Sequence, residues 1–282
     1  MEHVLTVLGL FVLAVLFTLY HVSTVCHFYL RISFFYLTIL VHGMEVCVTM
    51  IPSWLQGKGA DYVFHSFYYW CKLWTGCRTT VYGFENTEFD GPAVVICNHQ
   101  SSLDILAMAS VWPKHCVVMM KKILAWIPFF NLGAYFSNTI FIDRYNREKA
   151  MASVDYCATE MKKRNLKLWV FPEGTRNRDG GFLPFKKGAF NIAVRAQIPI
   201  IPVVFSDYRN FYSKPGHYFR NDGEIVIRAL EPISTQGLTL DDVPELSDKC
   251  RDVMLAAYEK VTEEANQRSA ERRGEVESKK ID

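Results

Sequence analysis

Hydrophobic and polar positions change texture along the chain. Residues 4–30, VLTVLGLFVLAVLFTLYHVSTVCHFYL, contain no Asp, Glu, Lys or Arg. After Arg31 the run ISFFYLTILVHGMEVCVTMI continues with one acid, Glu45. About 20 apolar residues cross a bilayer, so the region predicts two helices in a hairpin, or one span followed by an interfacial helix, with Arg31 as the interruption. A cleaved signal peptide fits poorly, because no basic residues precede the run and the run is too long. The aromatic stretch YVFHSFYYWCKLW (62–74) reads equally as a helix at the membrane–water boundary and as a helix packed on the main domain.

From about residue 78 short β-rich runs alternate with helical patterns. TTVYGF, AVVIC, CVVMM, TIFI, KLWVF, IIPVVF and EIVIRAL read as strands. DILAMASVW, REKAMASVDYCATEMKKRN and KGAFNIAVRAQ read as helices between them. The alternation predicts an α/β domain: a mixed, largely parallel sheet flanked by helices, with ligands at the carboxyl ends of its strands, behind an N-terminal helical membrane anchor. The expected division is 1–77 for the anchor and aromatic segment, 78–265 for the main domain, and a frayed polar tail over 266–282. The uncharged stretch 123–141 is broken by Pro128, Asn131 and Gly133, and predicts a buried or membrane-touching loop-helix rather than a span.

A net charge of +2 and the lack of a basic patch argue against nucleic acid as partner. Eight scattered cysteines with no C-x-x-C pair, and no N-x-S/T sequon, fit reduced thiols in the cytosol. No metal site is visible.

The chemistry concentrates where strands end. CNHQSSLD (97–104) leaves an apolar strand and at once presents His99 and Asp104. Ser101 and Asp104 can form a capping box, which alone would explain the carboxylate. The same geometry lets Asp104 hold one nitrogen of His99 and leave the other free as a base. VFPEGTRNR (170–178) ends a second strand with Glu173, Gly174, Thr175 and Arg176. Taken alone this is an ordinary turn with a surface ion pair. A guanidinium at a strand's carboxyl end is, however, well suited to gripping a phosphate. Arg144 ends FIDR, Lys121 and Lys122 follow CVVMM, and Lys186 and Lys187 lie in PFKKGAF. Several cations on one sheet edge beside a histidine predict a phosphate-bearing substrate.

Together these residues resemble the glycerolipid acyltransferase family, in its lysophosphatidate-acylating form. NHQSSLD, FIDR, FPEGTR and IPIIPVV match its four blocks in order, over about residues 60–265. The resemblance implies an enzyme that moves a fatty acyl group from acyl-CoA, a substrate rather than a cofactor, to the 2-hydroxyl of lysophosphatidic acid (1-acylglycerol 3-phosphate), making phosphatidic acid for phospholipid and triacylglycerol synthesis. Another lysophospholipid or glycerol 3-phosphate is the alternative acceptor. It implies His99 as general base, Asp104 as its partner, and a substrate site of Glu173, Gly174, Thr175, Arg176, Arg144, Lys121 and Lys187. Glu173 would position Arg176 or a substrate hydroxyl. Two other enzyme readings are weighed: a hydrolase, for which G-x-S-x-G is missing, and a thiol acyl carrier at Cys97. A lipid-binding scaffold is the non-enzymatic reading. Lys279 and Lys280 in SKKID resemble a dilysine retrieval signal, which implies the endoplasmic reticulum membrane with the catalytic domain facing the cytosol.

Overall fold

The computed structural model describes residues 2–55, 61–121, 126, 135, 139–142 and 147–278. Three helices come first: α1 (Glu2–Val22), α2 (Thr24–Leu55) and α3 (Asp61–Thr75). The helix break falls at Ser23, not at Arg31. The Ser23 hydroxyl accepts the Cys26 N–H at 3.2 Å and caps the new helix. Arg31 lies inside α2, buried, and donates to the Thr75 carbonyl at 2.6 Å. Its guanidinium packs over the rings of Trp74 and Phe219. A charge in this run is tolerated because it is taken up by the protein.

Both α1 and α2 are long and apolar enough to cross a membrane, by length and composition. They are not alike. The described side chains of α1 are exposed almost throughout. In α2 one face is buried from Phe28 through Ile32, Phe35, Thr38, His42 and Val46 to Met50, at helical spacing. The opposite face, with Leu37, Leu40, Val41, Met44 and Val48, is exposed. Helix α3 packs on the main domain by one face, as one of the two expectations for the aromatic stretch has it, and leaves large side chains exposed on the other. Phe67 and Cys71 are buried, and Phe64 stacks on Trp112 at 3.7 Å, while Tyr69, Trp70 and Leu73 point outward.

All seven expected strands form. In chain order they are β1 (Arg78–Tyr82), β2 (Ala93–Cys97), β3 (Cys116–Lys121), β4 (Ile140–Ile142), β5 (Lys167–Val170), β6 (Ile200–Phe205) and β9 (Glu224–Ala229). A small hairpin, β7 (Tyr212–Ser213) and β8 (Tyr218–Phe219), forms a separate two-stranded sheet. The seven-stranded order is β1-β9-β6-β2-β5-β3-β4. Every pairing is parallel except β6 with β9. The sheet is therefore mixed and largely parallel, as the alternation predicts.

Helices α4 (Asp104–Ser110), α5 (Arg147–Arg164), α6 (Gly188–Ala196) and α7 (Val243–Ser278) cover the sheet. Strand β2 shows how. Val94 and Ile96 face a core shared with α5, α6 and α7, whereas Ala93, Val95 and Cys97 face one shared with α2, α3 and α4. A strand covered on both faces reads as a continuous apolar run, here AVVIC. Helices α4 and α6 lie on opposite faces, and open α/β sheets place their ligands at the carboxyl ends of strands so flanked.

The polar tail expected from residue 266 is instead the end of α7. Ser269 is fully buried. Arg272 donates to the carbonyls of Gly76 and Gly223 and pairs with Glu224 at 3.0 Å, and Arg273 pairs with Asp222 at 3.2 Å. Long-range partners hold a segment whose own sequence lacks an apolar face. The stretch 123–141 and the dilysine pair lie largely or wholly outside the described residues.

Candidate active site

Strand β2 ends at Cys97, and the next residue extends the sheet by its side chain. Asn98 donates to the Phe205 carbonyl at 3.0 Å and accepts the Phe205 N–H at 2.8 Å. This ties the end of β2 to the end of β6. Gln100 makes a similar tie to the Ser206 carbonyl at 2.9 Å. Between these two anchors stands His99.

Two contacts fix the imidazole and a third fixes its backbone. Nδ1 lies 2.6 Å from Asp104 Oδ2, a short, charge-assisted distance. The ring stacks on Phe171 with centroids 4.1 Å apart and planes at 20°. The His99 backbone N–H donates to Glu173 Oε1 at 2.8 Å. Among the described residues Nε2 has no hydrogen-bond partner, and the side chain is 19% exposed. Asp104 is 2% exposed and also accepts the backbone N–H groups of Gln100 (2.9 Å) and Ser101 (3.2 Å). It is thus both the cap of the turn and the partner of His99. The two readings of this carboxylate describe one geometry.

The turn after β5 is built on the same edge, since β5 pairs with β2. Glu173 is 2% exposed, and both of its oxygens are used on backbone: Oε1 on His99 and Oε2 on the Leu183 N–H at 2.9 Å. Expected to position Arg176 or a substrate hydroxyl, it instead clamps the His99 turn to two points of the loop between β5 and α6. Burial pushes its carboxyl up from the usual range, opposed by the two N–H donors and by His99. Gly174 has φ +68°, and a Cβ there would stand 2.6 Å from Lys186 Nζ. Glycine therefore serves both a left-handed turn and the close passage of a lysine. Thr175 and Arg176 are exposed. Arg176 and Arg178 both lie within electrostatic reach of Tyr212, whose phenol burial pushes up to about 12 and the two guanidinium groups draw down.

Other expected site residues are placed differently. Lys187 turns to α7, with Nζ 3.6 Å from Asp248 and 3.4 Å from the Pro244 carbonyl. Its neighbour Lys186 is the lysine that reaches the Gly174 turn. Lys121 closes β3 at the carboxyl edge, and Arg144 lies outside the described residues. Cys97 is fully buried. Burial, then the charges of Asp104 and Glu173, push its thiol well above the usual range, which keeps it protonated and unreactive.

Three functional residues escaped the sequence reading. Phe171 gives no signal beyond its place before PEGTR. Asn177 donates its backbone N–H to the His99 carbonyl at 2.7 Å and its amide to the carbonyls of Gly180 and Gly181, and its side-chain oxygen accepts the Asp179 N–H at 3.2 Å. Tyr36, on α2, is 3.0 Å from the Ser102 hydroxyl, across a sequence separation that no local pattern reveals.

Residues 78–206, which hold both turns, match the family described as Acyltransferase. That stretch contains six of the seven strands of the large sheet and the His99 turn. Over the whole length the likeness is narrower. A Caenorhabditis elegans protein named "Putative 1-acyl-sn-glycerol-3-phosphate acyltransferase acl-2" is 79% identical over 98% of each chain. The mouse "1-acyl-sn-glycerol-3-phosphate acyltransferase alpha" is 44% identical, covering 68% of this chain and 67% of its own. The crystal structure of the 1-acyl-sn-glycerophosphate acyltransferase PlsC from Thermotoga maritima superposes with a TM-score of 0.57 at 25% identity, covering 71% of this chain and 77% of that one. The chain belongs to the 1-acyl-sn-glycerol-3-phosphate acyltransferase family.

Proposed function

We propose that the protein transfers a fatty acyl group from acyl-CoA to the sn-2 hydroxyl of 1-acylglycerol 3-phosphate, releasing CoA and phosphatidic acid. The observation that carries this reading is the His99 imidazole, held at Nδ1 by Asp104 with Nε2 free. Nε2 takes the proton of the acceptor hydroxyl as its oxygen attacks the thioester carbonyl. The resulting imidazolium is stabilised by the buried Asp104 carboxylate. As the tetrahedral intermediate collapses, the C–S bond breaks and the proton on Nε2 passes to the departing sulfur. The acyl group moves directly between substrates, because the nearby thiol of Cys97 is buried and protonated. Arg176, exposed beside Tyr212, reads the acceptor phosphate.

The exposed apolar faces of α1 and α2 support attachment to a membrane. The unpaired thiols of the described cysteines support a cytosolic aspect for the catalytic domain, as at the endoplasmic reticulum. The test is turnover of palmitoyl-CoA by the purified full-length protein against a panel of lysophospholipids and glycerol 3-phosphate. Lysophosphatidate should give the highest kcat/KM, and His99→Ala should lower kcat about 10²–10⁴-fold. Preference for another acceptor, or a His99→Ala protein with near-normal turnover, would overturn the reading.

A further inference from the structure

Beside His99 the structure holds a recess to which Arg176 does not contribute. Its floor is Gln100 and Ser101, the two residues that follow His99. Its walls include Arg178 from the loop after β5, Arg209 from the segment after β6, and Tyr212 and Lys214 of the β7–β8 hairpin. Three strand ends and the hairpin thus converge on one shallow, open cleft next to the base.

The cleft carries surplus positive charge. Arg209 is pinned on the buried Asp207, with Nε 2.7 Å from Oδ2 and its backbone N–H 2.8 Å from Oδ1. Asp207 is in turn fixed by the Tyr258 hydroxyl at 3.1 Å. The Arg209 guanidinium lies across Gly180, whose φ of +85° and lack of a side chain leave the passage open. Arg178 and Lys214 are exposed, and no described carboxylate pairs with either. One carboxylate therefore faces three cations. A site of this form suits a flexible chain bearing several phosphates, laid on the surface and gripped by charge-assisted hydrogen bonds. It does not suit an acyl chain, for which the apolar surface lies on α1 and α2.

The geometry points to this cleft as the seat of the acyl donor's phosphates, the diphosphate and ribose phosphate of the nucleotide end of acyl-CoA. This rests on the reading of His99 as the base in an acyl-CoA-dependent transfer. The donor must bring its thioester carbonyl to His99 while its polyanionic end lies in water. The pantetheine arm separates the thioester from the diphosphate, and a cleft that runs outward from Gln100 to Lys214 gives that arm its path and the phosphates their cations. The acceptor has a single phosphate, which the same reading assigns to Arg176. The cleft thus supplies a second, separate phosphate site for a substrate that has more of them.

The experiment compares the full-length protein with its Arg178→Gln/Lys214→Gln double variant, using palmitoyl-CoA and palmitoyl-pantetheine as alternative donors. Both changes are on exposed side chains, and an unchanged Tm confirms the fold. The double variant should raise the KM for palmitoyl-CoA about tenfold and weaken inhibition by free CoA to a similar degree. The penalty should vanish with palmitoyl-pantetheine, which has the thioester but no phosphates, and the KM for lysophosphatidate should change less than about twofold. A rise confined to the lysophosphatidate KM would assign the cleft to the lipid phosphate and overturn the proposal. So would an equal penalty on both donors, or no change in any constant. Turnover of palmitoyl-CoA by the unaltered protein is the control for the underlying reaction. If that fails while another donor works, the reading of the reaction is at fault rather than the placement of the phosphates.

Discussion

The turns after β2 and β5 stand side by side and are built differently. In the first, Asn98, Gln100, Ser101 and Asp104 are all buried and hydrogen-bonded, leaving Nε2 of His99 as the unengaged atom. In the second, Phe171 and Glu173 are spent on His99, whereas Thr175, Arg176 and Arg178 stand in the open. On the proposed function, one turn is preorganised for a proton transfer, and the other is half scaffold for that transfer and half a surface for charged ligands. Fixing a base costs its supporting groups their freedom, so on the proposed function grip on a substrate falls to residues that have been left solvated.

Asp104→Asn strikes the locked turn hardest. With the amide oxygen facing His99 the charge that stabilises the imidazolium is gone. With the nitrogen facing it, the wrong tautomer is favoured. Either way kcat should fall roughly 10²–10⁴-fold. A variant that keeps its rate and loses only about 1 kcal/mol of stability would reduce Asp104 to a cap.

Glu173→Gln tests whether the second turn supports the first. One of two backbone N–H groups would face an amide nitrogen, at a cost of about 1–3 kcal/mol. Burial raises the folded-state pKa of Glu173, so the native protein binds this proton more tightly than the unfolded chain. Its protonation therefore favours the fold in acid, and that contribution is lost as pH rises through the folded pKa. Thermal melts should show the variant destabilised overall and without this downward slope. A variant as stable as the parent would mean that the clamp carries no weight.

Arg176→Lys sharpens the contrast from the open side. The charge stays and the planar fork is lost, so the KM for lysophosphatidate should rise several-fold, by roughly 3–10 times, with kcat and stability little changed. Equal effects on donor and acceptor would make Arg176 structural. The smallest effect is expected at Cys97→Ser, on the strand between the turns. Activity should persist, and labelled acyl-CoA alone should leave no thioester on the protein. A trapped acyl group sensitive to hydroxylamine would replace direct transfer with a thiol carrier.

The strands were legible because each is a short apolar run closed by a polar turn, and that signal is local. His99, Asp104 and the FPEGTR turn were legible for the same reason: each lies where such a run stops. What failed was partner choice. Glu173 meets His99 across 74 positions, and Arg272 meets Gly76 across 196. Spacing along the chain carries no trace of either. Arg31 looked like a break because a lone charge in an apolar run is costly in lipid. Its partner, the Thr75 carbonyl, arrives only with α3. Of two adjacent lysines, pattern alone could not tell that Lys187 turns to α7 and Lys186 to the Gly174 turn.

The way α2 lies on the catalytic domain bears on modularity. Hydrophobic anchors are often treated as interchangeable parts, to be cut off or exchanged without harm. Here Phe28 packs near Tyr212, Phe35 against Phe67 and Trp74, and Tyr36 reaches Ser102 inside the catalytic turn. A chimera with an unrelated apolar hairpin in place of residues 1–55 would uncover that surface and leave the turn without its outer contact. The apolar helices and the His99 turn are packed as one piece, and a form of this protein shortened by residues 1–55 would be a different object from the domain in the whole chain.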